Sequence, residues 1–170
     1  RDCQKEIIMS QSLHIAIDGN EANTDHRVGS NVYAFKLLEE LEFISRDESV
    51  SFTILLANDP VTDMPESRSG WEYKVVRPRF FWTRLGLPLH LYFHKYLHKT
   101  EYDMLYTPGH YGPWYSAVPY VSSVMDTAYL THPKHFKWKD RIKLEKWTKH
   151  SVDYAQHVVT ISEYSKENIQ

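Results

Sequence analysis

From residue 13 onward, short unbroken apolar runs alternate with longer stretches in which apolar residues recur at helical spacing. Residues 13–19 (Leu-His-Ile-Ala-Ile-Asp-Gly) are apolar at nearly every position before Asp18, the pattern of a strand covered on both faces. Further strands are predicted at 50–57, stopped by Asn58-Asp59-Pro60, and at 73–76, 103–107, 119–125 and 157–161. Between them, Val32, Phe35, Leu38 and Leu41 mark a helical stripe over residues 29–45. The spacing predicts a helix over 82–97, with Pro88 early in it or kinking it. It predicts a basic amphipathic helix over 138–155, with Trp138, Ile142, Trp147 and Val152 facing inward. Ser162 is the expected cap of a last helix, with Glu163 and Ser165 in its first turn. Residues 20–28, 59–71 and 108–115 read as loops, the last aromatic and glycine-containing.

Strands that alternate with helices imply an α/β fold with a doubly wound, mostly parallel Rossmann-like sheet in three α/β/α layers. The reason is that parallel neighbours need crossover connections. A chain of 170 residues buries roughly 70% of its unfolded surface, enough for one such domain. That domain is expected to span 13–170, with 1–12 a tail or cloning remnant and Met9 a natural start. Ligands of open parallel sheets gather at the carboxyl ends of strands. Attention therefore falls on the loop after the first strand and on the helix opening at Gly29-Ser30-Asn31, whose free N–H groups suit an anion. Met125-Asp126 is a second strand-to-loop boundary of this kind.

Composition narrows the function classes. A net charge of −2 argues against a nucleic-acid partner, and 14% aromatic residues favour a surface for sugars, bases or apolar groups. A single cysteine, Cys3, makes no internal disulfide, and no apolar run approaches the ~20 residues of a membrane span. The first ten residues lack the apolar core of a signal peptide, so the expected compartment is the cytoplasm.

Several chemistries can be weighed on spacing. His90, His94 and His98 fall at i, i+4 and i+8, but each step drifts by ~40° around a helix, which makes a poor three-ligand site. A half-exposed polar stripe is the expected reading, and no metal is expected. A dinucleotide-binding dehydrogenase would need Gly-x-Gly-x-x-Gly after the first strand, where one glycine stands ten residues on. No Gly-x-Ser-x-Gly elbow supports a serine hydrolase. Two basic-aromatic segments, 77–84 and 132–149, are either solvated faces or attachments to an anionic membrane surface, placing the protein at its inner face.

Taken in order, Ile15-Ala-Ile-Asp-Gly19, Val28-Gly-Ser-Asn-Val-Tyr33, Asp103-Met-Leu-Tyr-Thr-Pro108, Val121-Ser-Ser-Val-Met-Asp126 and Val158-Val-Thr-Ile-Ser-Glu-Tyr-Ser165 form a familiar series. This series resembles the N-terminal domain of family 4 (group 1) glycosyltransferases, one half of a GT-B fold. The resemblance runs from about residue 13 to the end and rests on order and spacing rather than on any single motif. It implies a retaining transfer of a sugar from a nucleotide-sugar donor to a glycan or lipid-linked acceptor, without a metal or other cofactor. It also implies a C-terminal donor-binding domain absent from this chain, without which the chain is inactive. Gly29 and Ser30, with Arg27 beside them, would contact the donor phosphates; equally, the pair lets a loop enter a helix, and Arg27 is solvated. Asn20, Glu21, His110 and Tyr111 would hold the acceptor, or the 108–115 loop packs on its own aromatics. Asp126 is the implied catalytic residue, with helix capping as the other reading. Met125 departs from the family's histidine at that position and cannot make a comparable hydrogen bond. The rival from another class is a non-catalytic module that binds a carbohydrate or a partner.

Overall fold

The computed structural model describes residues 13–47, 49–97, 102–109, 111–125, 127–131 and 133–169. Over these residues the chain runs β1 (Leu13–Asp18), α1 (Ser30–Ile44), β2 (Val50–Leu56), β3 (Trp71–Val75), and a π-helical turn (Trp82–Gly86) continued by α2 (Leu87–Leu97). It then runs β4 (Met104–Thr107), β5 (Tyr120–Val124), α3 (Ala128–Thr131), α4 (Trp138–Tyr154), β6 (His157–Thr160) and α5 (Glu163–Ile169). The described strands form one all-parallel sheet in the order β3-β2-β1-β4-β5-β6. This is the expected Rossmann-like three-layer arrangement, and every predicted strand lies within two residues of its observed bounds.

Successive residues of a strand point to opposite faces, and the core divides accordingly. Ala16, Leu55 and Leu105 pack with Leu87 and Leu91 of α2 on one face. Ile17, Phe52 and Ile54 pack with Ala34 and Leu38 of α1 on the other. The chain steps outward from β1 to β2 and β3, then returns and steps the other way through β4, β5 and β6. Right-handed crossovers in opposite directions place their helices on opposite faces. The reversal falls between β1 and β4, the switch point at which open parallel sheets bind their ligands.

Three expectations about helix faces are corrected. In α4, Trp138 and Ile142 face solvent, while Thr148 and Ser151 are buried. The helix approaches the sheet through small side chains: the Tyr120 hydroxyl donates to the Ser151 carbonyl (3.0 Å), and the Gly112 N–H donates to Ser151 Oγ (2.7 Å). Close approach suits small residues, so an apolar stripe misidentifies this inner face. In α1, Val32 is exposed and the buried stripe is Ala34 and Leu38. In α2, His94 is buried and stacks on Tyr102 at 4.2 Å, and His90 Nε2 lies 3.2 Å from the Tyr102 hydroxyl. Both described histidines join an aromatic cluster, His94 buried within it and His90 half-buried at its edge; His98 lies outside the described residues.

One buried charge holds the outer side of α1. Glu42, 6% exposed, accepts from Arg46 Nη2 (2.8 Å) and Arg68 Nε (2.5 Å), and Arg68 Nη2 also donates to the Glu42 carbonyl (2.8 Å). The hydrogen bond from Arg46, then that from Arg68, holds the Glu42 carboxyl below its usual 4.5. Glu42→Gln is expected to cost about 2–3 kcal/mol at pH 7 by leaving both guanidinium groups without their anion. A depressed carboxyl stabilises above its unfolded value and loses that contribution as pH falls through the folded one. The wild-type and variant urea midpoints should therefore converge in acid, as pH falls below the carboxyl's depressed folded value.

Candidate functional site

The region at the carboxyl end of β1, next to β4, is built around Asp18. A carboxylate at the end of a buried strand is costly to desolvate and needs donors. It has three: Asn20 N–H (3.2 Å) and Asn20 Nδ2 (2.8 Å) donate to Oδ1, and Trp82 Nε1 donates to Oδ2 (2.7 Å). Burial pushes the Asp18 carboxyl up to about 6, against the opposing hydrogen bonds from Trp82 and Asn20. Both oxygens face internal donors, so Asp18 shapes the crevice and links it to the turn that opens α2. Asn20 continues this brace, because its Oδ1 accepts the Ala57 N–H (2.8 Å) at the end of β2.

The residues implied to face donor phosphates lie on the next layer of the loop. Gly29 is the residue before α1, at φ +54, with open space where a Cβ would stand. Left-handed φ favours glycine, and here it turns the chain into the helix. No side chain caps α1. Among the described residues the N–H groups of Ser30 and Val32 have no partner, whereas Asn31 N–H donates to the Val28 carbonyl (3.1 Å). Arg27 is engaged elsewhere. It makes a two-pronged pair with Asp63 (2.5 and 2.8 Å), donates Nε to the Ala22 carbonyl (2.8 Å), and lies over the Phe35 ring at 3.8 Å. That set of partners makes it a brace between the first loop and the β2–β3 connection.

Glu21 lies against both the start of α1 and the loop after β4. Its Oε2 accepts from Ser30 Oγ (3.1 Å) and Asn31 Nδ2 (2.8 Å), and a Cβ on Gly109 would come within 2.8 Å of Glu21 Cγ. The absence of a side chain at Gly109 therefore lets the loop after β4 close against the loop after β1. Glu21 Oε1 accepts no hydrogen bond from the described residues, which leaves one carboxylate oxygen for a hydroxyl.

The 108–115 loop departs from the expectation that it packs on its own aromatics. Tyr111 sets its ring edge-to-face on Trp147 of α4 at 5.1 Å, and Trp114 stacks on His150 at 4.3 Å. Arg84 lies over both Trp114 (4.9 Å) and Trp147 (5.0 Å), tying this loop and α4 to the turn before α2. Gly112 is required here, because a Cβ would meet the Tyr120 ring at 2.6 Å. His110 and Asp126 lie outside the described residues. The neighbours of Asp126, Met125 and Thr127, are buried, and Met125 contributes an apolar wall. Below the crevice, hydroxyls run through the sheet: Tyr106 OH lies 2.7 Å from Ser123 Oγ, and Thr107 Oγ1 donates to Ser122 Oγ (3.1 Å).

The structure thus brings together Asn20, Glu21, Gly29 and Ser30, and sets Tyr111 against α4. It adds two residues that were not singled out as site residues, Asp18 and Trp82. An acidic residue ending an otherwise apolar buried strand was the signal for Asp18. No signal marked Trp82, whose partner is 64 positions away. The described residues hold no cluster of three or more metal-ligating side chains. In comparisons with known proteins, no family model matches the chain, and no curated protein or solved structure matches it.

The Asp18–Trp82 pair has a pH signature. Trp82→Phe removes a donor that favours the ionised carboxyl, so the folded pKa of Asp18 rises above about 6. The stability gap between wild type and variant should be small near pH 5, where the carboxyl is largely protonated in both. It should widen by about 1–3 kcal/mol towards pH 8, the range of a hydrogen bond to a charged group. Urea midpoints across that range measure it, and a gap independent of pH would exclude the charged hydrogen bond.

Proposed function

We propose that this chain is the acceptor-side half of a retaining glycosyltransferase, acting with a donor-binding domain on a nucleotide sugar. The observation that carries the reading is the pairing of two features at one crevice. One is an uncapped helix start at Gly29-Ser30. The other is a carboxylate with one uncommitted oxygen, Glu21, opposite the loop after β4. N–H groups at a helix start suit a diphosphate, and a carboxylate oxygen suits a sugar hydroxyl. The order of motifs along the chain, which resembles family 4 glycosyltransferases, supplies the reaction class; fold alone would not.

In this reading Gly29 and Ser30 face the donor diphosphate when the second domain closes over the crevice. Glu21 and the loop carrying Gly109 and Tyr111 border the acceptor. Asp18 and Asn20 hold the floor, and Arg27 fixes the loop from behind. The donor base, the transferred sugar and the leaving nucleotide belong to the other half. The reaction needs no group beyond the two substrates.

The test is to express the chain with the region encoded downstream of Gln170 and to follow nucleotide release from a panel of nucleotide sugars. Transfer by the extended protein and none by residues 1–170 is the expected result. Transfer by the 170-residue chain alone would overturn the division of labour. Val32→Glu then probes the helix start, since Val32 is an exposed residue in the first turn of α1. A carboxylate there stabilises the helix by about 0.3–1 kcal/mol through the macrodipole while repelling a diphosphate. We expect intact folding and a kcat/KM for the donor lowered about tenfold or more, the effect of roughly 1.4 kcal/mol. Unchanged kinetics would remove the diphosphate from this helix.

A further inference from the structure

α2 carries two apolar stripes where a helix in the outer layer of a sandwich needs one. Its inner stripe, Leu87, Leu91 and His94, is buried against the sheet. Its outer stripe, Leu89, Tyr92, Phe93 and Tyr96, is exposed and continues through Leu85 of the π-helical turn to Phe80 and Phe81. The two phenylalanines are 64% and 66% exposed. Phe81 sits at φ +50, a left-handed backbone uncommon for a bulky residue, and its carbonyl accepts the N–H groups of Arg84 (2.9 Å) and Leu85 (2.7 Å). The turn thus fixes the backbone that carries the two rings at the start of the stripe.

The stretch of sequence that carries this stripe is rich in cations. No Asp or Glu occurs between Glu72 and Glu101, whereas Lys74, Arg77, Arg79, Arg84, Lys95 and Lys99 do. Arg77 and Arg79 are exposed beside Phe80. Lys74 and Arg77 border a groove of about 370 Å3 whose other wall includes Leu89 and Phe93. Arg84 extends the field to α4, whose Lys143 lies over the same Trp147 ring at 5.1 Å. The whole chain carries −2, so the cation excess belongs to this stretch, with Glu72 beside Lys74 on β3 as the acid at its border.

We propose that this face docks on the surface of an anionic phospholipid bilayer, with Phe80, Phe81 and the outer stripe of α2 in the headgroup–acyl boundary and the flanking cations on lipid phosphates. Aromatic and aliphatic side chains on one side of a helix with cations at its border are the elements of interfacial binding. Among the described residues no helix is long and apolar enough to cross a membrane, so the contact lies in the surface plane. Trp82, adjacent to Phe81, reaches Asp18, so the docked face adjoins the crevice. The proposal stands independently of the sugar-transfer reading; if both hold, the acceptor arrives from the membrane.

The experiment is cosedimentation of the chain at low salt with vesicles of equal parts phosphatidylglycerol and phosphatidylcholine, with phosphatidylcholine alone in parallel. Binding to the anionic vesicles only, weakened by added salt, is expected. The F80S/F81S double variant should bind about tenfold or more weakly, from two lost apolar contacts. The R77E/R79E variant should lose the preference for anionic lipid. Phe43→Ser, at an exposed residue of α1 on the other layer, should bind as wild type, with circular dichroism confirming that all variants fold. The proposal is overturned by any of three results. These are no anionic-vesicle binding, binding that F80S/F81S leaves intact, and self-association abolished by F80S/F81S without vesicle binding, which would assign the face to a second copy.

Discussion

The desolvated carboxylate of Asp18 is the constraint around which the ligand end of this fold is arranged. A charge at that depth is tolerated only with donors on both oxygens. Those donors come from two separate parts of the chain, Asn20 in the loop after β1 and Trp82 in the turn before α2. Satisfying the one group therefore fixes where the first loop leaves the sheet and where α2 begins. Asn20 passes the constraint to β2 through the Ala57 N–H. The crevice has a firm floor because a charge, and not only packing, would be left unsatisfied if the floor moved.

The loops above that floor are held by exchanges that leave few polar groups over. Arg27 spends its guanidinium on Asp63, on a carbonyl and on the Phe35 ring, and this fixes the path from Asn20 to Gly29. Glu21 ties Ser30 and Asn31 to the same loop. What remains unengaged is specific: N–H groups at the start of α1 and one oxygen of Glu21. A donor pair and an acceptor side by side at the start of one helix are polar groups that a ligand with both hydroxyl and anionic oxygens could use. This is why the glycosyl-transfer reading rests on Gly29, Ser30 and Glu21 and no longer on Arg27.

Local pattern in the sequence was enough for the strands, the parallel sheet and the Ser162 cap, whose Oγ accepts the Ser165 N–H at 3.1 Å. Each depends on residues close together in the chain. The features that escaped it depend on partners far apart. The inward face of α4 is Thr148 and Ser151 because Gly112 and Tyr120 approach there, and periodicity alone favours Trp138 and Ile142. Glu42 reads as one more surface acid until Arg68, 26 positions on, covers it. That Asn20, Glu21, Gly29 and Ser30 lie together follows from strand and helix positions that the local pattern gives, whereas the place of Trp82 became legible only when the chain folded it onto Asp18.

The crossovers also explain why two apolar regions among the described residues are different in kind. On the α1 face, Ile15, Leu37, Leu41, Met104 and Tyr106 line an apolar groove of about 250 Å3. It arises because the steps through β4, β5 and β6 send their connections to the opposite face. That groove is a by-product of strand order, and none of its lining residues is charged. The outer stripe of α2 has no such origin, since the helix already buries Leu87 and Leu91 and needs no second apolar side to fold. A stripe that the fold does not require, bordered by cations in a stretch free of carboxylates, costs solubility unless something covers it. The physical distinction is charge: an apolar groove without it suits protein packing, whereas aromatics beside exposed arginines suit an interface that is apolar below and anionic above.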